Sequence, residues 1–193
     1  MQSYSIPIRF LRHYCFCPRI PYLVELAGVN PVNTLWVQQG IDYHKRLEKL
    51  MKRRTLKYFH LEAPVIHLQV ALKSEIYKIH GLADCLLEDE NEVVPVEFKA
   101  QMSTLQRGTI MQLIGYGLLA EERFKKPFKK AFVIVGEGRK IIPIKLTEYD
   151  LQQFRGVLEQ LKSSLKGGVF PASSATDRQC AQCEYLRFCN DRF

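Results

Sequence analysis

Apolar residues recur with a helical period at both ends of the chain and with a strand-like period in its middle. The N-terminal stretch 5–28 predicts two short helices, and a long helix follows over Thr34–Arg54. A further helix is predicted over Thr104–Glu122. The last one runs over Thr147–Leu165 and begins with a capping box that Asp150 completes. Helices therefore flank the strand-rich middle.

The middle of the chain and a later stretch are rich in β-branched residues. The predicted strands are Ala63–Leu72, Glu75–His80, Leu82–Leu87, Val93–Phe98, Ala131–Val135 and Arg139–Leu146. The last two form a hairpin around Gly136 and Gly138. A chain of 193 residues is expected to form a single domain. The order of helices and strands predicts an α/β sandwich with a mixed central sheet.

Candidate chemistry lies in the stretch Gly81–Lys99, where two apolar strands flank the acidic turn Glu88–Glu92. Glu97 and Lys99 are two residues apart and share one strand face, and Asp84 lies on the preceding strand. Carboxylates on paired strands would bind Mg²⁺ or Mn²⁺. The lysine would either orient the nucleophile or stabilise negative charge in a phosphorane-like transition state. An ordinary surface ion pair is the alternative. The acidic turn is expected to be a solvated hairpin tip.

Polar residues on two predicted helices could join this site. His44 lies on the long helix, where it is either a ligand or a surface histidine. Gln112 and Tyr116 are four residues apart and therefore share one helix face. They either position a phosphate or simply pack.

Cysteines at both ends of the chain indicate a metal site. We expect a cytoplasmic protein, and disulfides are rare in that reducing compartment. The C-terminal cysteines are Cys180, Cys183 and Cys189. Cys17 is the expected fourth ligand and Cys15 the alternative, while Cys85 is expected to be a core thiol. Four thiolates suit either a 4Fe–4S cluster or Zn²⁺. Such a site would make 1–30 and 170–193 one metal-binding appendage of the domain.

The net charge of +8 and the pI near 9.2 favour a polyanionic partner such as nucleic acid. The basic run Lys52-Arg53-Arg54 either contacts DNA or complements the dipole of the helix that it ends. No apolar run is long enough for a membrane helix, and the N-terminus has no signal-peptide core. We therefore expect a cytoplasmic protein without a membrane partner.

Taken in chain order, these motifs resemble the RecB-like nucleases with a PD-(D/E)xK core. The motifs are Cys17-Pro18-Arg19, Gly40-x3-His44, Gly81-x2-Asp84, Glu97-Phe98-Lys99, Gln112-x3-Tyr116 and the three C-terminal cysteines. Within that group, the chain is most similar to the stand-alone exonuclease of CRISPR spacer acquisition, the fourth family of Cas proteins. The resemblance extends from about residue 6 to residue 190.

The resemblance implies a restriction-endonuclease-like core in which His44, Asp84 and Glu97 bind the metal. Lys99 would be the catalytic lysine beside the two acids, and Gln112 and Tyr116 would lie near the DNA. The implied activity is exonucleolytic cleavage of DNA at single-stranded ends or overhangs, dependent on Mn²⁺ or Mg²⁺. Because a histidine nitrogen makes the site softer than an all-oxygen one, Mn²⁺ would be favoured.

The resemblance also implies a 4Fe–4S cluster that joins the two ends of the chain. Its ligands would be Cys17, Cys180, Cys183 and Cys189. Cys17 is favoured over Cys15 because Pro18 and Arg19 follow it, as they follow the family's N-terminal cysteine. The implied role is the trimming of prespacers together with the Cas integrase, in antiviral defence.

Two other functions stay open at this point. One is a RecB-like nuclease of recombinational repair. The other is a nucleic-acid-binding module that does not cleave, in which the cysteines hold a structural Zn²⁺ or iron–sulfur site.

Overall fold

A computed structural model describes residues 5–30, 35–51, 56–102, 104–136 and 140–189. Its helices are α1 (Arg9–Phe16), α2 (Arg19–Glu25), α3 (Leu35–Met51), α4 (Arg107–Phe124), α5 (Glu148–Gly167), α6 (Asp177–Ala181) and α7 (Leu186–Cys189), with a 3₁₀ turn at Leu56–Phe59. Its strands are β1 (Ile6–Pro7), β2 (Val65–Ser74), β3 (Ile79–Glu88), β4 (Val93–Lys99), β5 (Lys130–Val135) and β6 (Lys140–Lys145). No helix in these ranges is both long and apolar enough to cross a membrane.

The strands form one mixed sheet, as the sequence predicted. The order is β1-β3-β4-β5-β6, and β2 pairs with β3 outside this path. The pairs β1–β3 and β4–β5 are parallel, while β2–β3, β3–β4 and β5–β6 are antiparallel. Helices cover both faces, so the α/β sandwich is confirmed.

Alternation along the strands divides the core between the two faces of the sheet. On β5, Ala131 and Val133 face a cluster that includes side chains of α1, α4 and α5. Phe132 and Ile134 face the opposite cluster, to which α3 contributes Leu47. Full burial of an apolar side chain contributes about 1.5–3 kcal/mol. The two clusters therefore hold α3 and α4 on opposite faces of the central strands.

The predicted strand Glu75–His80 is wrong. The segment from Glu75 to Lys78 is the β2–β3 turn, in which Lys78 has a φ of 55°. The chain then enters β3 and continues through Gly81 without a break. Gly81 allows the Tyr116 ring to pack closely against β3, because a Cβ at Gly81 would lie 2.9 Å from that ring. A glycine that suggested a strand end from sequence is thus a packing position.

The predicted helices are present with shifted ends. The N-terminal pair is preceded by β1, which was not predicted, and α4 begins and ends later than the predicted Thr104–Glu122. The capping box of α5 is confirmed, because the Thr147 side chain accepts from the Asp150 N–H and the Asp150 side chain accepts from the Thr147 N–H. The predicted ends of the long helix, Thr34 and the run Lys52-Arg53-Arg54, lie outside the described residues.

The β3–β4 hairpin is confirmed, but its acidic turn is not a solvated tip. Asp89 is only 8% exposed. Its carboxylate accepts hydrogen bonds from the backbone N–H groups of Asn91, Glu92 and Glu62. These bonds hold the pKa of Asp89 below its usual range, although burial acts to raise it. Asp89 therefore organises the turn from inside.

Lysines that lie further along the chain pair with two other acids of the turn, Glu88 and Glu92. The Lys126 Nζ donates to Glu88 Oε1 at 2.7 Å, and Glu88 also contacts His67 at 2.8 Å. Lys130 pairs with Glu92 at 2.8 Å. The Lys126 hydrogen bond lowers the pKa of Glu88 against the opposing effect of burial. The turn is thus a structural junction between the hairpin and the segment that links α4 to β5.

Candidate active site

The candidate site lies where β3 and β4 separate. Their ladder ends at the pair Cys85–Val96, one position before Asp84 and Glu97 would face each other. Nearer the start of β3, at Ile79 and His80, the strand pairs with β1 instead of β4. The Asp84 carboxylate replaces the missing ladder bond by accepting from the Phe98 N–H at 2.9 Å. We call this divergence the fork, and it leaves room for two carboxylates between the strands.

His44 approaches the fork from α3. Its Nδ1 lies 3.2 Å from Asp84 Oδ1, and its ring packs edge-on against Phe98 with centroids 6.0 Å apart. The hydrogen bond with Asp84 raises the pKa of His44, and burial opposes this effect. The structure therefore places His44 against the first of the two predicted acids.

Glu97 is the most buried acid of the site, with 3% exposure. The Lys99 Nζ donates to its Oε1 at 2.5 Å, and the Gln112 Nε2 donates to its Oε2 at 3.3 Å. Burial and then the charge of Asp84 raise the pKa of Glu97, while Lys99 and Arg12 lower it. A buried carboxylate with a perturbed pKa beside a lysine is typical of a catalytic centre.

Gln112 and Tyr116 share a face of α4 that packs beneath this carboxylate. Both are nearly buried, and the Tyr116 ring fills the space left by Gly81. Burial, followed by the charge of Glu97, raises the pKa of Tyr116, while the Gln112 side chain acts in the opposite direction. The two residues therefore support Glu97, and their contact with DNA stays a prediction.

Sequence reasoning did not identify Arg12 as part of this region. Arg12 lies on α1 and is close enough to Glu97 to lower its pKa. Gly108 brings α4 against α1 at this position, since a Cβ there would lie 2.9 Å from the Arg12 carbonyl oxygen. The sequence does contain a signal for this residue. Arg9 and Arg12 are three residues apart and therefore share one face of a predicted helix.

Gln69 is a second residue that sequence reasoning did not identify. Its φ of 50° interrupts the ladder of β2 at the position opposite Asp84. The Gln69 Nε2 donates to Glu48 Oε1 at 2.7 Å, which links β2 to α3 one helical turn beyond His44. The β2 strand is therefore distorted beside Asp84 and is tied to the helix that carries His44.

The donors at the fork suit a hard divalent cation. His44 supplies an imidazole nitrogen and Asp84 and Glu97 supply carboxylate oxygens, the ligand types that Mn²⁺ accepts. Across the described ranges, no group of three or more His, Cys, Asp or Glu side chains is arranged to hold a metal ion. Metal binding at the fork therefore stays a prediction that the donor chemistry supports.

The four cysteines that the resemblance implied as ligands line one small cavity. They are Cys17, Cys180, Cys183 and Cys189. The Cys17 Sγ lies 3.6 Å from Ser173 Oγ. Burial raises the pKa of Cys183, and the three other thiols act in the same direction. Cys15 instead lines a neighbouring cavity, and Cys85 is fully buried in the core as predicted.

The surroundings of this cavity join the two ends of the described chain. A third apolar cluster contains Ile20 and Leu23 of α2 together with Ala175 and Tyr185. The Arg19 Nε also donates to the Pro171 carbonyl oxygen at 2.9 Å. Four thiols in an apolar pocket fit an iron–sulfur cluster or Zn²⁺ chemically. The identity of the bound group and the division into core and appendage stay predictions.

Residues 11–190 match the PD-(D/E)XK nuclease superfamily, and this match includes every residue of the fork. The chain belongs to this superfamily. It is 40% identical over 188 residues to the CRISPR-associated exonuclease Cas4 of Francisella tularensis subsp. novicida (strain U112), covering 97% of this chain and 95% of that protein. The predicted PD-(D/E)xK fold is therefore confirmed.

Two further proteins are more distant in sequence. The chain is 22% identical over 192 residues to a CRISPR-associated exonuclease Cas4/endonuclease Cas1 fusion of Geobacter sulfurreducens, covering 95% of this chain and 33% of that protein. The crystal structure of SSO0001 superposes with a TM-score of 0.57 at 19% identity, covering 100% of this chain and 89% of that chain. The latter similarity concerns the fold alone.

Proposed function

We propose that this protein is a metal-dependent DNA exonuclease that acts on single-stranded ends and processes prespacers in CRISPR adaptation. The observation that carries the proposal is the convergence of His44, Asp84, Glu97 and Lys99 at the fork. The similarity to proteins named CRISPR-associated exonuclease Cas4 supports the reaction and its biological setting. The net charge of +8 supports a polyanionic substrate.

The residues of the fork have separable roles in phosphodiester hydrolysis. His44, Asp84 and Glu97 would hold Mn²⁺ or Mg²⁺, which when bound would neutralise phosphate charge and activate the attacking water. The Phe98 N–H fixes the Asp84 carboxylate, and Gln112 fixes the Glu97 carboxylate. The Lys99 ammonium would stabilise the negative charge of the phosphorane-like transition state, in which the attacking water oxygen bonds to phosphorus as the leaving oxygen departs.

The proposed protein partner is the Cas integrase. Support comes from the Geobacter sulfurreducens relative, which joins a Cas4 exonuclease and a Cas1 endonuclease in one protein. This chain aligns with about a third of that protein's length (33%). We infer that an integrase of the kind joined to Cas4 in that relative acts together with this protein.

We also propose that Cys17, Cys180, Cys183 and Cys189 hold a 4Fe–4S cluster. Their common cavity supports this assignment, and anaerobic purification tests it. A brown protein with iron and acid-labile sulfide would support the cluster, whereas a colourless protein with one zinc would contradict it. Cys189→Ala should lose the cluster and become poorly soluble, because binding of the group and folding are coupled. Cys15→Ala is the matched control and should keep it.

A cleavage assay tests the central proposal. Single strands labelled at the 5′ or 3′ end are incubated with the protein and Mn²⁺, and wild type is compared with Lys99→Ala. Wild type should shorten the strands, and the label that is released first reports the polarity. Lys99→Ala should keep its fold and lose cleavage. A pure wild-type protein that binds the strands in Mn²⁺ without cutting them would show a binding module instead.

A further inference from the structure

Two cavities lie side by side between Lys99 and the cysteine-bearing tail. The first, of about 420 Å³, includes Lys99 in its wall. The second, of about 460 Å³, lies between α1, the start of α4 and the tail segment around Tyr185. Arg12 and Gln106 line both cavities and therefore form their common wall. The cavities are thus adjacent, and together they extend from Lys99 to Cys15 and Cys183; we call this pair of cavities the path.

The walls of this path suit a phosphodiester chain. Arg12 and Arg107 are both exposed and line it, and each guanidinium offers several N–H donors. The Arg107 Nη2 donates a hydrogen bond to Gln153 Oε1 at 2.9 Å, and this bond holds the arginine side chain in place. Among the described wall residues, Glu184 is the only acid.

The positive charge of the path comes from its arginines and Lys99. His13 also lines the second cavity, but burial, followed by the charges of Arg12 and Arg9, lowers its pKa to about 4. His13 is therefore neutral at pH 7. Amide side chains, including Gln106 and Gln182, supply the remaining polar surface.

We propose that the DNA strand leading away from the scissile bond occupies the two cavities in turn, with Arg12 and then Arg107 on its phosphates. The inference rests on the proposed nuclease function, since the path begins at Lys99. It follows that the cysteine-bearing tail is one wall of the substrate site as well as a link between the chain ends. The second cavity would be reached only by strands that extend several nucleotides beyond the fork.

Binding measurements with strands of different length test this path. Fluorescein-labelled oligothymidylates of about 4, 8 and 16 nucleotides are titrated in EDTA, which prevents cleavage, and anisotropy is recorded at several salt concentrations. Arg12→Gln should weaken binding of all three strands about 10-fold. Arg107→Gln should weaken only the longer strands to a similar degree. Each variant should reduce the slope of log affinity against log salt by about 0.7, the value for one lost contact to a single strand.

Two control variants separate this path from general effects. Arg155→Gln removes the same charge from the exposed face of α5, outside both cavities, and should bind every strand as wild type does. Gln153→Ala removes the hydrogen bond to Arg107 and should retain the salt slope. Equal losses in Arg107→Gln and Arg155→Gln, or an Arg107→Gln loss that is the same for the shortest and the longest strand, would overturn the path. A wild-type protein that neither binds nor cuts single strands would instead overturn the proposed function.

Discussion

The two ends of the β3–β4 hairpin contain the same residue types in opposite environments. At the turn, Glu88 and Glu92 are paired with Lys126 and Lys130 near the surface. At the fork, Glu97 is paired with a lysine inside the protein. An acid–lysine pair is therefore not in itself a mark of catalysis, and its burial and its other neighbours decide what it does.

The pKa directions express this difference. Lys126 lowers the pKa of Glu88, so the charged form is stabilised at the turn. Burial and the charge of Asp84 raise the pKa of Glu97, so the charged form is destabilised at the fork. A buried acid whose charged form is disfavoured lowers the stability of the folded protein. Such acids are common at reactive sites. The charged acids of the turn stabilise the fold, whereas the buried acid of the fork fits the catalytic role proposed for it.

The largest expected effect is that of Glu97→Gln on activity. The substitution should reduce the single-turnover cleavage rate in Mn²⁺ by at least about 10²–10³-fold, because it removes the buried charge at the reacting centre. The melting temperature should stay equal to that of wild type or rise, since the substitution removes a carboxylate whose charged form is disfavoured by burial and by the charge of Asp84. A marked fall in melting temperature with activity retained would reverse the roles given to the two ends.

Asp89→Ala should have the opposite profile. It leaves three backbone N–H groups without their acceptor, and the free energy of unfolding should fall by about 1.5–3 kcal/mol. Urea denaturation measures this change. Cleavage by the folded protein should be unchanged, and Glu90→Ala, an exposed acid of the same turn, should change neither quantity.

Gly81→Ala should affect both stability and activity, because Gly81 connects β3 to the support of Glu97. The new methyl group would lie 2.9 Å from the Tyr116 ring, and overpacking of this kind costs about 1–3 kcal/mol. The cleavage rate should fall about 10-fold as Tyr116 shifts beneath the site. The matched control is Gly156→Ala on α5, where a Cβ meets open space and the helix should gain about 1 kcal/mol. If Gly81→Ala cleaves at the wild-type rate, the position of Tyr116 does not affect catalysis at the site.

The smallest expected effect is the pH dependence of the turn. The folded-state pKa of Glu88 is lowered, so its stabilisation is complete above the ordinary glutamate value of about 4.3 and is lost as pH falls through the folded-state pKa. Wild type should exceed Glu88→Gln in unfolding free energy by about 1 kcal/mol or less at pH 7. Chemical denaturation between about pH 7 and pH 3 should show this difference disappear with acid. A difference that grows with acid would contradict the assignment.

The proximity of Asp84, Glu97 and Lys99 at the fork could be predicted because strand geometry determines it. A period of two places Glu97 and Lys99 on one face, and an antiparallel hairpin brings Asp84 to the adjacent strand. His44 was identified through its place in the ordered motif set, although the long helix alone left it as a surface residue. The structure places it 3.2 Å from Asp84.

The remaining features depend on tertiary contacts that local patterns do not encode. The short β1 strand is recognisable only from its partner, and Gly81 is a packing position only once Tyr116 lies against it. The pairing of Glu88 depends on Lys126, which lies 38 residues away in sequence and reaches back to the turn. Arg12 was missed for the same reason, since α4 brings it towards the site.

One matched pair of variants tests the contrast most directly. Lys99 and Lys126 each donate to a glutamate of the same hairpin, at 2.5 Å and 2.7 Å. Lys99→Met and Lys126→Met are compared with wild type in single-turnover cleavage of a labelled single strand in Mn²⁺. The expected result is that Lys99→Met loses cleavage and Lys126→Met cuts at the wild-type rate. Equal rates for the two variants, fast or slow, would contradict the division of the hairpin into a catalytic fork and a structural turn.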